Sequence, residues 1–131
     1  MDRILIVDDE FLIRYTLEEG LKDRGYDAYS AATVEEGLEF VRKYHPGVLL
    51  LDNLLENSVG MDEIVNFKNA DEELQVIMMT AYGSVSQAVE ATKRGAYDYI
   101  LKPFDVDEID MLIKRLSLIH ISEPTRRSYI S

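Results

Sequence analysis

Residues 4–7 read ILIV and run directly into three acidic residues, and this stretch is the first indication of the fold. Two similar apolar runs follow, VLLL at residues 48–51 and VIMM at residues 76–79. Uninterrupted apolar runs of this length are typical of strands that are buried on both faces, as in a parallel sheet. We therefore predict that these three runs form neighbouring parallel strands.

Two weaker runs, at residues 28–30 and 99–101, complete a set of five predicted strands. A segment with helical spacing follows each strand. The positions that mark these helices are Leu12, Tyr15, Leu17 and Leu21; Val34, Leu38 and Val41; Ile64 and Phe67; Val85, Ala88, Val89 and Thr92; and Val106, Ile109, Leu112 and Ile113. This alternation predicts an α/β fold, the flavodoxin-like doubly wound (βα)5 type. Its five-stranded parallel sheet is expected in the order 2-1-3-4-5.

Three small residues lie at predicted helix ends. Gly25 and Gly95 fall where the first and fourth helices should stop, and glycine there favours a backbone with positive φ. Ser84 precedes the fourth helix and is predicted to cap it.

The composition excludes several classes of function. A formal net charge of −11 should repel nucleic-acid backbones, so we expect no direct nucleic-acid binding by this domain. The chain contains no cysteine, which excludes disulfides and thiolate chemistry. No apolar run approaches the roughly 20 residues that cross a bilayer. The residues after Met1 do not resemble a signal peptide, so a cytoplasmic protein without membrane contact is expected.

Polar residues follow four of the five predicted strands. Asp8 and Asp9 follow the first strand, Asp52 the third, Thr80 the fourth and Lys102 the fifth. The carboxyl ends of parallel strands share one edge of a sheet, and ligand sites of such folds lie there. We therefore expect three carboxylates, a hydroxyl and an ammonium group to meet in one shallow pocket.

This set of groups suits phosphoryl chemistry with a divalent cation. Asp9 and Asp52 are predicted to bind Mg²⁺ directly, and Asp8 directly or through water. Asp52 is the candidate nucleophile, because a carboxylate can form an acyl phosphate and this one lies at the central strand. Lys102 would neutralise charge on the phosphoryl oxygens, and Thr80 would hydrogen-bond to one of them. Each residue taken alone also fits an ordinary turn, cap or solvated loop, and only their combination at four strand ends indicates this chemistry.

The sequence resembles the receiver domains of two-component response regulators. The matching stretches are ILIVDDE, VLLLDNLLENSVGMDE, VIMMTAYGS and GAYDYILKPF, and they extend over about residues 1–115. The sequences of these stretches are similar to those of the receiver domains of enhancer-binding activators and of single-domain phosphorelay regulators. The resemblance implies a phosphoacceptor switch that takes a phosphoryl group from a phosphohistidine, and a signalling domain whose only catalysis is its own phosphorylation and dephosphorylation.

The resemblance also assigns roles to individual residues. It implies Mg²⁺ as the cofactor, with Mn²⁺ as a substitute. The implied roles are the acidic metal pair for Asp8 and Asp9, the phosphoacceptor for Asp52, a metal-binding backbone carbonyl for Leu54, a turn glycine for Gly60, the switch hydroxyl for Thr80, the switch aromatic for Tyr99 and the phosphate-binding lysine for Lys102. Phosphorylation would draw Thr80 inward and let Tyr99 rotate. The surface of the fourth helix, fifth strand and fifth helix would then change and control an output, with transcription the expected one.

The implied partners are a sensor histidine kinase or a phosphotransfer protein, and a homodimer is compatible with the family. His45 and His120 are read as surface residues, so the phosphodonor histidine should belong to the partner. One departure from the family is Glu56, which stands where proline is usual, four residues after Asp52. A second feature is the bulk of Leu54 and Tyr82, which flank the predicted acyl phosphate and are expected to slow its hydrolysis.

The end of the chain changes character after Arg115. We interpret LSLIHISEPTRRSYIS, residues 116–131, as a non-native extension, since Leu116 to Arg126 look like a translated sequencing adapter. The alternative is a natural extension that finishes the fifth helix, with Leu116 and Ile119 packing inward.

Two other functions fit the residues less well. An aspartate-nucleophile phosphohydrolase of the haloacid dehalogenase kind needs a second aspartate two residues after the nucleophile, where this chain has Leu54. A flavodoxin-like flavin binder needs a phosphate-binding loop after the first strand, and the acidic residues from Asp8 to Glu10 would repel the cofactor.

Overall fold

A computed structural model describes residues 3–53, 59–80, 85–102 and 104–116, and within them strands and helices alternate from the start. The strands are β1 (Arg3–Val7), β2 (Asp27–Ala31), β3 (Val48–Asp52), β4 (Gln75–Thr80) and β5 (Asp98–Leu101). The helices are α1 (Phe11–Asp23), α2 (Val34–Tyr44), α3 (Gly60–Ala70), α4 (Val85–Lys93) and α5 (residues 106–116). The five strands form one parallel sheet in the order β2-β1-β3-β4-β5, which confirms the predicted topology.

The central strand β3 is buried along its whole length, as its unbroken apolar sequence predicts. Its neighbours hold it in register, with Val7 of β1 opposite Leu51 and Met79 of β4 opposite Asp52. On the far side of β4, Thr80 lies opposite Leu101. The carboxyl ends of β1, β3, β4 and β5 therefore reach the same edge of the sheet.

Helices cover both faces of the sheet, and alternate residues of each strand supply the two cores. In β3, Leu49 and Leu51 pack in the core formed with α2, α3 and α4. Val48 and Leu50 pack in the opposite core, formed with α1 and α5. At the end of the described chain, Leu116 is 1% exposed and belongs to this second core.

The backbone conformations at the ends of α1 and α4 agree with the sequence expectations. Gly25 and Gly95 have φ angles of 91° and 111°, as predicted for helix ends of this type. His45, at the end of α2, also has a positive φ of 49°, and its side chain is exposed as predicted. Ser84 and His120 lie outside the described residues. Within the described parts of the chain, every helix is too short or too polar to cross a bilayer.

Candidate functional site

The buried polar side chains of the described chain gather at the carboxyl edge of the sheet. Asp8, Asp52 and Thr80 are 0%, 3% and 1% exposed, and every other buried residue of β1, β3 and β4 is apolar. Asp8 follows β1, whereas Asp52 and Thr80 are the last residues of their strands. Burying polar groups is costly unless they are paired, so this edge is where the fold places its chemistry.

Three carboxylates meet there. Oxygen atoms of Asp8, Asp9 and Asp52 all lie within 4.8 Å of one another, and Asp9 is half-buried. Three carboxylates this close repel one another until a cation lies between them. Hard divalent cations such as Mg²⁺ prefer oxygen ligands, so the donor set fits the predicted metal.

Lys102 already supplies one positive charge to the cluster. Its ammonium group donates to Asp52 Oδ1 at 3.1 Å and to Asp8 Oδ2 at 3.2 Å. Burial by itself lowers the pKa of Lys102, but the hydrogen bond with Asp52 and the charges of Asp8 and Asp52 outweigh burial and raise this pKa. The Lys102 backbone N–H donates to the Thr80 carbonyl at 2.7 Å, which anchors the lysine at the end of β4.

Asp8 is held on every side. One carboxylate oxygen, Oδ1, accepts from the Glu10 backbone N–H at 2.9 Å, and the other accepts from Lys102. Its backbone carbonyl accepts from the Arg14 guanidinium at 2.7 Å, and its N–H donates to the Ala31 carbonyl. Both carboxylate oxygens of Asp8 therefore already accept a hydrogen bond.

Asn53, the residue after Asp52, is held by hydrogen bonds to β4 and to the start of α3. Asn53 donates its backbone N–H to the Met79 carbonyl at 2.9 Å, and its own carbonyl accepts from the Gly60 N–H at 2.7 Å. Its side-chain oxygen accepts from the Met61 N–H at 3.0 Å. Sequence reasoning missed Asn53, because nothing local indicates that an asparagine at a strand end reaches a helix that begins seven positions later.

Gly60 has a sharper role than the predicted turn glycine. It is the first residue of α3, and a Cβ atom there would lie 2.1 Å from the Asp52 carbonyl oxygen. A side chain is therefore excluded by the backbone of the central strand. The absence of a Cβ lets α3 begin directly against the residue that carries the candidate nucleophile.

Of the other residues to which the sequence assigns a role, the structure describes Tyr99. The half-buried Tyr99 packs against the core formed with α2, α3 and α4, and its hydroxyl lies 3.5 Å from Gln87 Oε1 on α4. Leu54, Glu56 and Tyr82 lie outside the described residues. The structure thus brings Asp8, Asp9, Asp52 and Lys102 together, with Thr80 buried at the same edge.

An apolar hollow of about 630 Å³ opens beside Lys102, between α1 and the segment that leads into α5. Its apolar lining residues are Leu12, Ile13, Leu17, Phe104 and Val106. On the adjoining surface of α1, Phe11, Leu12 and Tyr15 are 68%, 71% and 56% exposed. Large apolar side chains exposed together are typical of a protein interaction surface.

Comparison with known proteins agrees with this geometry. The chain is 38% identical over 114 residues to Sporulation initiation phosphotransferase F of Bacillus subtilis (strain 168), covering 87% of this chain and 92% of that protein. It is 36% identical over 115 residues to Regulatory protein AtoC of Escherichia coli (strain K12), covering 88% of this chain. The chain spans only 25% of the length of AtoC.

A solved structure is similar over most of the fold. It is the crystal structure of a response regulator protein from Burkholderia pseudomallei with a phosphorylated aspartic acid, calcium ion and citrate. The TM-score is 0.78 at 29% identity, over 83% of this chain and 64% of that chain. The family model described as the response regulator receiver domain matches residues 4–114, nearly the whole described chain. This chain therefore belongs to the receiver domain family of two-component response regulators.

Proposed function

We propose that Asp52 is the residue through which this receiver domain acts as a phosphoacceptor switch. The observation that carries the proposal is the position of its buried carboxylate, which meets Asp8, Asp9 and Lys102 at the carboxyl edge of the sheet. The similar protein from Burkholderia pseudomallei, which carries a phosphorylated aspartic acid and a calcium ion, supports the same chemistry here.

The proposed reaction is phosphoryl transfer from a phosphohistidine of a sensor kinase or phosphotransfer protein. An Asp52 carboxylate oxygen forms a bond to phosphorus while the bond from phosphorus to the imidazole nitrogen breaks. The donor ring reacts as the phosphoimidazolium, protonated on its other ring nitrogen, so that the imidazole leaves as a neutral group that retains this proton. Lys102, which lies 3.1 Å from Asp52 Oδ1, would offset negative charge on the phosphoryl oxygens.

A divalent cation, Mg²⁺ or Mn²⁺, would supply further positive charge to those oxygens when it is bound. We propose that Asp9 and Asp52 bind it directly. Asp8 would act through a water, because both of its oxygens already accept hydrogen bonds. The backbone carbonyl of Leu54 is the proposed fourth contribution from the protein.

The proposed switch passes from Thr80 to Tyr99. Thr80 is buried beside Lys102, and its inward movement towards a phosphoryl group would make room for the Tyr99 ring. The surface that would respond is built from α4, β5 and α5. Exposed large apolar side chains lie on all three elements: Val89 is 48%, Leu101 50% and Met111 64% exposed. We propose that this surface forms the contact with an output partner or a second copy of the chain, and that the output is transcription.

The phosphodonor partner is proposed to dock on the exposed face of α1 next to the apolar hollow. Phe11 and Leu12 are exposed there, and Lys102 lines the hollow. A partner bound on this face would bring a histidine to the mouth of the acidic pocket. The net charge of −11 argues against nucleic acid as a direct partner of this domain.

We propose a cytoplasmic signalling domain whose only catalysis is its own phosphorylation and dephosphorylation. A phosphohydrolase of the haloacid dehalogenase kind lacks support, since Leu54 stands where its second aspartate would be needed. Residues 1–115 are the proposed receiver domain, and residues 116–131 the proposed non-native extension. Most of that extension lies beyond the described residues.

The test is intact mass after incubation with phosphoramidate or acetyl phosphate, with Mg²⁺ or with EDTA. We expect one phosphoryl adduct on the wild type with Mg²⁺, none with EDTA and none on Asp52→Asn. Asp23→Asn is the matched control, because Asp23 is an exposed aspartate at the end of α1. This variant should gain one phosphoryl adduct, as the wild type does. An adduct that persists on Asp52→Asn would refute the assignment of the acceptor.

A further inference from the structure

The start of α3 lacks a local cap. The first turn of a helix leaves backbone N–H groups without partners inside the helix, and a side-chain oxygen at the preceding residue commonly accepts from one of them. That preceding residue is Val59, whose side chain has no acceptor. The Met61 N–H, in the first turn, instead donates to the side-chain oxygen of Asn53 at 3.0 Å.

Asn53 therefore caps α3 from the end of another element. It directly follows the proposed phosphoacceptor, and three of its groups are engaged at once. Its N–H donates to Met79 of β4, its carbonyl accepts from Gly60 and its side-chain oxygen accepts from Met61. Two of these bonds tie it to α3 and the third ties it to β4.

The consequence for Asp52 is direct, because α3 begins in contact with its backbone. The position of a Cβ on Gly60 would be 2.1 Å from the Asp52 carbonyl oxygen and 3.0 Å from the Asn53 Cα. We therefore expect a movement of the first turn of α3 to displace the peptide between Asp52 and Asn53. This peptide belongs to the residue whose carboxylate oxygen, Asp52 Oδ1, lies 3.1 Å from Lys102 Nζ.

We propose that Asn53 is a positioning residue for the acidic pocket: its side chain caps the start of α3 and thereby holds the Asp52 carboxylate in the orientation that binds a divalent cation. This inference rests on the proposed function of Asp52. If Asn53 has this role, the stability of the fold and the affinity for the cation can be changed independently of each other, and both can be measured.

The experiment compares Asn53→Ala with the double variant Asn53→Ala/Val59→Thr. Threonine is nearly isosteric with valine, and its hydroxyl at residue 59 supplies the local cap that α3 lacks. The double variant should therefore restore the stability of α3 without restoring the tie to residue 53. Asn53→Asp is the conservative control, since it keeps an acceptor oxygen at the same position.

Mg²⁺ affinity is measured by isothermal titration calorimetry, melting temperature by circular dichroism, and Met61 amide protection by hydrogen exchange. We expect Asn53→Ala to melt about 4 °C lower, to lose Met61 protection and to bind Mg²⁺ about tenfold more weakly. The double variant should regain the melting temperature and Met61 protection but keep the weak Mg²⁺ binding. Asn53→Asp should keep wild-type stability and bind Mg²⁺ at least as tightly as the wild type.

Wild-type Mg²⁺ affinity in the double variant would overturn the inference and leave Asn53 as a helix cap only. Unchanged Mg²⁺ affinity in Asn53→Ala would overturn it as well. The proposed function fails in a different way, through a wild-type chain that binds Mg²⁺ but takes up no phosphoryl group. The comparison of Mg²⁺ affinities would still decide the role of Asn53 in that case.

Discussion

Substituting alanine for Gly60 tests how closely α3 is built against the phosphoacceptor strand. The added methyl group would lie 2.1 Å from the Asp52 carbonyl oxygen and 3.0 Å from both the Asp52 carbonyl carbon and the Asn53 Cα. All three atoms belong to the backbone of the central strand or the residue that follows it, which β4 holds through the Asn53 N–H. The clash cannot be relieved by rotation of a side chain, so α3 and the end of β3 must separate.

The expected cost follows from two opposing effects. Overpacking that displaces backbone costs about 3 kcal/mol, at the upper end of the usual range, because no atom in contact can move alone. Alanine is favoured over glycine within a helix by about 1 kcal/mol, which offsets part of the cost. We therefore expect Gly60→Ala to lower the free energy of unfolding by about 2 kcal/mol and to weaken Mg²⁺-dependent phosphorylation of Asp52.

The assay is urea denaturation followed by circular dichroism, with Gly20→Ala as the matched control. Gly20 is also a helical glycine, but the atom nearest to its added methyl group is a side-chain methyl of Val106, at 2.7 Å, which can shift. The control should differ from the wild type by less than about 1 kcal/mol, because helix propensity and contact nearly cancel. If Gly60→Ala were as stable as Gly20→Ala, the close approach of α3 to Asp52 would be refuted.

Two further predictions concern charged groups. Lys102→Met should lower stability in EDTA by about 2 kcal/mol, because Asp8 and Asp52 lose a shared donor, and Mg²⁺ should restore most of it. An exposed lysine, changed in Lys93→Met, should show neither effect, and equal behaviour of the two variants would contradict the reasoning. Tyr26→Phe removes a hydroxyl that donates to Asp110 at 2.5 Å, and this bond is the main cause that lowers the pKa of Asp110 from 3.8. A carboxylate whose pKa is lowered by folding stabilises the fold at pH values above its ordinary pKa, and this stabilisation is lost as the pH falls through the lowered pKa. Tyr26→Phe should therefore lower the free energy of unfolding by about 1 kcal/mol near neutral pH. Urea curves of the two proteins should converge in strong acid, and a constant difference would count against the role of Asp110.

The strands and their order could be predicted because burial leaves a local trace. A strand covered on both faces must be apolar at successive positions, so β1, β3 and β4 can be recognised in the sequence as continuous apolar segments. Each strand in the structure extends up to one residue beyond its apolar run, since polar residues such as Asp27 can pair at a strand end. The polar residues that follow the runs were predictable for the same reason, because parallel strands deliver their carboxyl ends to one edge.

The sequence by itself therefore determined the fold, the edge at which the site lies and the residue types that meet there. Only the tertiary structure decided which atoms pair: Lys102 with Asp8 across 94 positions, Tyr26 with Asp110 across 84, and Asn53 with the start of α3. It also showed that Asp8 has both oxygens engaged and that Gly60 must lack a Cβ. The physical reason is that apolar patterning records whether a residue is buried. The partner of a buried polar atom depends on how separate helices and strands pack against one another, and the neighbouring residues in the sequence do not indicate that partner.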